Sequence, residues 1–305
     1  MLLYIAGELI MTGLVKISQH YRLTEFVVAF FLLALAATLP NLFVGISAAL
    51  QGIPELSFGD IMGNNMISLT LVAALGIFLA PKKHLPLESE MIQNTTFFTG
   101  VAAILPLLLI SDGGISRSDG LILVLFFAIY VYWLLRKSNP RQRATISLRE
   151  ESSPQEALIA GGEVLFGVVL VGIAAQTIVY GGTYLANEIG MSLLLVGMLV
   201  IGFGGALPEL YFTALAAKRG ETDMIVGNLM GVVIIPATFV LGVVAMISPI
   251  ANESLELPVM SRVFLVIAAV FFLIASQTKS RIERKEGYIL VVVYLFFLGQ
   301  LLFFA

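Results

Sequence analysis

The sequence predicts an all-α polytopic membrane protein with ten transmembrane helices in two inverted-topology five-helix repeats. Three observations carry this. The chain is too apolar to dissolve, its basic residues collect on alternate connections, and a set of proline, glycine and threonine landmarks returns after 168 residues. Hydrophobic residues make up 59% of the 305, charged residues 12%, and mean hydropathy is +0.99. A soluble domain averages about 25% charged residues, so too little polar surface exists to keep this much apolar side chain in water. The same numbers exclude disorder, a collagen-like fibre and a nucleic-acid binder. With no cysteine and only His20 and His84, disulfide frameworks, thiol catalysis and multi-histidine metal sites are excluded too.

A spanning helix needs about 20 predominantly apolar residues. Stretches free of Asp, Glu, Lys and Arg mark the candidates in order. Met1 to Val15 is short and broken by Glu8. It lacks the basic start and small-residue cleavage site of a signal peptide, so it reads as a first span. Phe26 to Leu50, Ile61 to Ala80, Met91 to Ile110 and Gly120 to Leu135 complete a first group of five. Val164 to Asn187, Ile189 to Ala217, Met224 to Asn252, Leu257 to Thr278 and Gly287 to Ala305 form a second. Only Glu209 interrupts the seventh segment, and only Arg262 the ninth.

Orientation follows from basic residues, which stay on the cytoplasmic side. Fifteen of the 17 lie in odd-numbered connections, as in Lys82–Lys83, Arg136–Lys137, Lys218–Arg219 and Arg284–Lys285. Only Arg117 and Arg262 lie on the opposite face. The odd connections are therefore expected in the cytoplasm and both termini outside. Residues 137–156, charged and containing Pro140 and Pro154, read as a cytoplasmic linker between a first repeat, 1–136, and a second, 157–305. The partners implied are the lipid bilayer and small ions. Oligomeric state is not encoded in any pattern of the chain.

Two five-span halves that start on opposite faces and share landmarks make an inverted repeat, an architecture of secondary transporters. Shifted by 168 residues, Leu39-Pro40-Asn41-Leu42 falls on Leu207-Pro208-Glu209-Leu210. Gly59, Met62, Gly63, Thr70 and Pro81 fall on Gly227, Met230, Gly231, Thr238 and Pro249. With a slip of one, Arg117-Ser118-Asp119-Gly120 matches Arg284-Lys285-Glu286-Gly287.

Pro40 and Pro208 sit inside spans. Proline cannot donate to the carbonyl four residues back, and a freed carbonyl in lipid must be satisfied by protein, water or an ion. The pair reads as broken helices at matching places, a pointer to an ion site. Glu209 is the sharpest single residue, with eight uncharged residues after it and no Lys or Arg at comparable depth in any span. A charge there costs roughly 2.5 kcal/mol or more unless it faces a cavity or a partner. Gly59/Gly63 and Gly227/Gly231 let helices approach closely. Asn64, Asn65 and Ser68 follow the first pair and supply neutral oxygens. Glu8, which falls opposite Gln176 in the repeat, reads equally as lining a polar path or bonding a neighbouring helix.

These residues resemble the cation/calcium exchanger superfamily, the sodium/calcium exchangers and their relatives. Its signature regions resemble Gly-Thr-Ser-x-Pro-Glu and Gly-Asn-x-x-Gly-Ser-Asn. Ala36 to Asn41 and Gly204 to Glu209 stand at the first, Gly59 to Asn65 and Gly227 to Val233 at the second. The resemblance covers nearly the whole chain and implies ten spans, termini outside and a midplane cation site.

The departures are specific. The resemblance implies that the Glu after each signature Pro binds the transported ions. Glu209 matches, whereas Asn41 replaces it in the first half. Ser68 and Pro236 stand where the family completes its site with Asn or Asp. The ligand set implied is therefore Glu209 with Thr38, Asn41, Asn64 and Ser68, and no cofactor. The transported cations would be Na⁺, with Ca²⁺ or H⁺ as the exchanged ion. Calcium prefers six to eight oxygens, usually with several carboxylates. One carboxylate balances Na⁺, K⁺ or H⁺ but leaves Ca²⁺ undercompensated. Asp60 or Glu8 supplies the missing charge only if it points into the same cavity. The leading expectation is a secondary active cation antiporter resembling sodium/calcium exchangers. The alternatives are an exchanger of monovalent cations or protons, and a non-transporting membrane scaffold. An enzyme is disfavoured, since no His, Cys or Lys lies within a span.

Overall fold

In the computed structural model, the structure describes residues 5–6, 9–10, 12–13, 34–81, 84–86, 90–137, 154–220, 222–251, 259–278 and 281–304. The protein is an all-α membrane protein. Among the described residues seven helices are long and apolar enough to span, and two shorter apolar helices, Thr38–Leu50 and Ser261–Ile274, accompany them. In chain order the helices are α1 (Ala34–Leu50), α2 (Pro54–Leu79), α3 (Glu90–Leu109), α4 (Arg117–Lys137), α5 (Pro154–Ile189), α6 (Leu193–Arg219), α7 (Thr222 to Ile247), α8 (Val259–Thr278) and α9 (Arg284–Phe304). They correspond to predicted segments two to ten. The described N-terminal positions are helical, and Ala6 and Ile10 pack against Gly167 of α5. Glu8, Lys16 and Arg22, and most of the predicted linker, lie outside the described residues.

Lipid, rather than water, explains the surface. Leu158, Tyr180, Tyr211 and Phe303 are exposed, with many other large apolar side chains, far more than a soluble monomer leaves uncovered. The centre belongs to α2 and α7, whose apolar stretches are 83% and 72% buried, against 28% for α4, α5 and α9.

Both central helices change winding at matching points. The α-helical hydrogen bonding gives way to π turns at Ser68–Val72 in α2 and Pro236–Val240 in α7. In each, the matched threonine bonds back to the carbonyl four residues earlier. Thr70 donates from its hydroxyl to Met66 O, and Thr238 to Ile234 O at 2.6 Å, a local bond that satisfies a buried hydroxyl within its own helix. A third π turn, Gly197–Ile201, lies in α6.

These turns correct one expectation. The helices are not broken at the signature prolines, since α1 runs through Pro40 and α6 through Pro208 as continuous α-helix. Local π adjustment is one of the ways a membrane helix absorbs such residues, and in α6 the irregularity sits at 197–201, about two turns before the proline.

α2 and α6 meet backbone to backbone. A Cβ on Gly59 would lie 2.1 Å from Leu194 O, and one on Gly63 2.1 Å from Met198 O. From the other side, a Cβ on Gly197 would lie 2.3 Å from Leu56 O, and one on Gly202 2.9 Å from Asp60 O and from Asn64 N. Further along, Gly76 faces Thr213. Contacts rise together in number along both helices, so α2 and α6 run side by side in the same direction. The α6 π turn explains the spacing of its glycines. Bonding from i to i+5 widens the turn, and Gly197 and Gly202, five residues apart, both meet the α2 backbone.

Two short antiparallel strand pairs tie distant connections. β1 (His84–Pro86) pairs with β4 (Arg281–Glu283), and β2 (Gly114–Ile115) pairs with β3 (Ile250–Ala251). Two helices open on the same cap. Asp119 accepts from the backbone and hydroxyl of Ser116 at the start of α4, and Glu286 accepts from Glu283 N at the start of α9. Side-chain acceptors there satisfy amides that the first helical turn leaves open.

The crossing generates a prediction. Gly63→Ala pushes a methyl group into the Met198 carbonyl and is expected to lower the unfolding midpoint in detergent, at a cost of several kcal/mol. Gly161→Ala in α5, where a Cβ meets nothing within 4 Å, is expected to leave the midpoint unchanged or slightly raised.

Candidate functional site

The glycine crossing decides what faces what. Past Gly202, α6 presents Gly205 and, one turn on, Glu209. A Cβ on Gly205 would lie 3.8 Å from Asp60 Oδ1. Asp60 is 2% exposed, and its carboxyl lies close enough to Glu209 for their charges to interact. Glu209 is half-buried, and its Oε2 is fully enclosed with no hydrogen-bond partner. Among the described residues no hydrogen bond reaches the Asp60 carboxyl, and no third acidic group or histidine joins the pair. The only other charges on α2 and α6 are Glu55, near the α2 start, and Lys218 and Arg219, at the α6 end. The α6 end is closed by Gly220 in the left-handed conformation at φ 76°.

Asp60 corrects the sequence reading of where the acids lie. Counting uncharged stretches began the third span at Ile61, so Asp60 fell outside it. The helix begins at Pro54, a residue favoured at a helical first turn, and Asp60 lies inside. A rule that ends spans at charges is blind to a charge the span encloses.

The predicted ligands divide. Asn64 and Ser68 are buried on α2, where Ser68 Oγ donates to Asn64 Oδ1 at 3.5 Å, the outer limit of a hydrogen bond. Asn64 lies one turn after Asp60, on the same face, and its Nδ2 is buried without a partner. Asn65, fully buried, has neither amide atom paired. Thr38 is buried on α1, lining a small apolar cavity with Leu39, Leu42 and Ile235, Phe239 and Val240 of α7. It therefore sits beside the α7 π turn. Asn41 is half-buried on α1 and makes no hydrogen bond among the described residues. Two further polar atoms are enclosed without partners, Thr213 Oγ1 one turn beyond Glu209 and Asn228 Nδ2 on α7.

Buried polar groups are ordinarily paired, yet Glu209 Oε2 and Thr213 Oγ1 on α6 and Asn64 Nδ2 and both amide atoms of Asn65 on α2 are enclosed without hydrogen-bond partners. Chemically, such a set can hold a cation by its oxygens. The signal for Asp60 was present in the chain. Under the repeat Asp60 falls on Asn228, the reverse of Asn41 falling on Glu209.

Comparison with known proteins gives a consistent match. The profile of the family described as sodium/calcium exchanger protein matches residues 1–136 and 161–303. The chain is 24% identical to inner membrane protein YrbG of Escherichia coli K12 over 307 residues, covering 99% of this chain and 93% of that protein. It is 26% identical to the putative antiporter CaxA of Alkalimonas amylolytica over 289 residues, 93% of this chain and 90% of that one. Its fold resembles that of the sodium-calcium exchanger NCX_Mj, with a TM-score of 0.65 at 23% identity over 98% of this chain and 94% of the other.

The unpaired amide of Asn65 offers a measurable consequence. In ion-free protein, Asn65→Leu is expected to raise the unfolding midpoint, by about 1–3 kcal/mol in stability, because it removes a buried polar group left without a hydrogen bond. Thermal unfolding in detergent checks it.

Proposed function

This chain belongs to the sodium/calcium exchanger protein family, and from that premise we propose that it is a secondary active cation antiporter working by alternating access around a midplane site, with Glu209 as the main carboxylate. The family places it among membrane transporters rather than enzymes. The observation that carries the reading is Glu209 Oε2, an enclosed carboxylate oxygen inside a membrane span with no protein partner. Such a group needs a compensating charge from elsewhere, and a transported cation supplies one. Asn64 and Ser68 serve as neutral ligands beside it on α2. Thr38 and Asn41 join from α1. The Gly204 carbonyl, which Pro208 leaves without its usual amide donor, adds a backbone oxygen. Na⁺ is one exchanged ion, with Ca²⁺ or H⁺ as the other.

The architecture we infer is ten spans in two inverted halves, 1–136 and 157–305, joined by a cytoplasmic linker at 137–156 with both termini outside. Several features support it. The π turns of α2 and α7 coincide under the 168-residue shift, down to the threonine hydroxyls. The caps of α4 and α9 match. The strand pairs are reciprocal, since the connection after each half's third span pairs with the one before the other half's fifth. Each pair also joins connections assigned to one face. Parallel α2 and α6 agree with third and seventh spans crossing in one direction. The family profile leaves residues 137–160 unmatched between its two blocks.

A non-transporting scaffold is the competing reading, motivated by Asn41, Ser68 and Pro236 in place of family ligands. It expects Glu209 sealed among apolar side chains, whereas Glu209 shares its surroundings with Asp60.

Flux measurement decides. In proteoliposomes with an imposed Na⁺ gradient, the protein is expected to drive counterflow of a second cation, assayed as Ca²⁺ uptake and as internal pH. Glu209→Gln should reduce the rate roughly 100-fold or more. Absence of any cation flux from the unaltered protein overturns the antiporter reading.

A further inference from the structure

The charge of the site has a second source. Each half carries one acid and one amide at the repeat-related positions, but in opposite order. The first half has Asn41 on α1 and Asp60 on α2, and the second has Glu209 on α6 and Asn228 on α7. The two acids therefore come from non-equivalent helices, and these are the helices that the glycine crossing presses together. Asp60 Oδ1 lies against Gly205, 3.8 Å from where a Cβ would stand, and Glu209 follows one turn further along the same helix.

A structural role for Asp60 would show in its partners. Buried carboxylates that hold a fold together do so by accepting from backbone amides, hydroxyls or a basic side chain. Asp60 has none of these among the described residues, although it is 2% exposed. Two nearby atoms are likewise enclosed without partners, Glu209 Oε2 and Asn64 Nδ2 on the next turn of the same helix. Like charges brought together in a low-dielectric interior require a cation to sit with them.

Resting on the antiporter reading, we propose that Asp60 is the second ion-binding carboxylate, replacing the one absent at Asn41, and that the Asp60–Glu209 pair takes a divalent cation. The arithmetic follows directly. Glu209 alone balances one positive charge, whereas Glu209 with Asp60 balances two. Asn64 and the backbone carbonyls of the α6 turn complete an oxygen set of the kind a hard divalent cation prefers. A carboxylate lost from one helix of the first half is thus supplied by the next helix.

The test uses the full-length protein purified in detergent, with Ca²⁺ and Na⁺ as probes, read by ion-dependent shifts of the unfolding midpoint and by proteoliposome flux. The unaltered protein is expected to show saturable stabilisation by Ca²⁺. Asp60→Asn, nearly identical in volume, should weaken the apparent Ca²⁺ affinity roughly 100-fold or more while the ion-free midpoint stays near that of the parent. Asn41→Glu combined with Asp60→Asn returns a carboxylate to the first half and should recover at least part of the lost affinity.

Each alternative outcome has a distinct meaning. If Asp60→Asn keeps Ca²⁺ affinity within about threefold, Asp60 is not a ligand and the inference fails while the antiporter reading stands. If the unaltered protein responds to Na⁺ but never to Ca²⁺, the divalent assignment fails in the same way. If it responds to no cation and carries no flux, the reading beneath the inference fails.

Discussion

The structure depends on one contact, the crossing of α2 over α6 at backbone distance. Lipid is as apolar as a leucine side chain, so membrane helices gain little from hiding apolar surface and are held by close van der Waals packing instead. Gly59 and Gly63 on one helix and Gly197 and Gly202 on the other remove every side chain that would keep the axes apart. Glycine in a helix costs about 1 kcal/mol relative to alanine, and the close approach offsets that cost. The approach also positions polar groups, because once the backbones touch at Gly202 and Asp60, the faces beyond them cannot avoid each other. The carboxyls of Asp60 and Glu209 are neighbours as a consequence of packing.

Much of this was legible in the chain, and the reason is locality. Proline, glycine and threonine act within a turn of their own position, so Thr70 with Thr238 and Asp119 with Glu286 marked matched positions in the two halves of the chain. The all-α membrane class and the family signatures were legible for the same reason. The π turns were not, because a change from four to five residues per turn depends on the neighbour that must be reached. Pro40 and Pro208 misled in the same way, since a missing donor predicts strain but not where the helix releases it. Asp60 was hidden by a rule that treats a charge as a boundary. Thr38 lies beside Phe239 and Val240 of α7, a neighbourhood set by long-range packing that its residue type does not announce.

The two halves are similar in framework and unlike in chemistry. Both central helices carry the same π turn and the same threonine bond back into the helix, yet α2 has Asn64, Asn65 and Ser68 where α7 has Val232, Val233 and Pro236. The buried polar side chains are thereby more numerous on α2, with Ser57, Asp60, Asn64, Asn65, Ser68 and Thr70, than on α7, with Thr238. The framework keeps a likeness between the two central helices that their side-chain chemistry does not share.

The reciprocal strand pairs bear on how the protein is made. His84 meets Glu283 about 200 residues later in the chain, and Ile115 waits for Ile250. At a synthesis rate of roughly 5–20 residues per second, the edge at His84 stands unpaired for about 10–40 s after it emerges. The strand after α2 therefore meets its partner only when the strand before α9 has been made, so contacts within the first part of the chain are completed by a segment made much later.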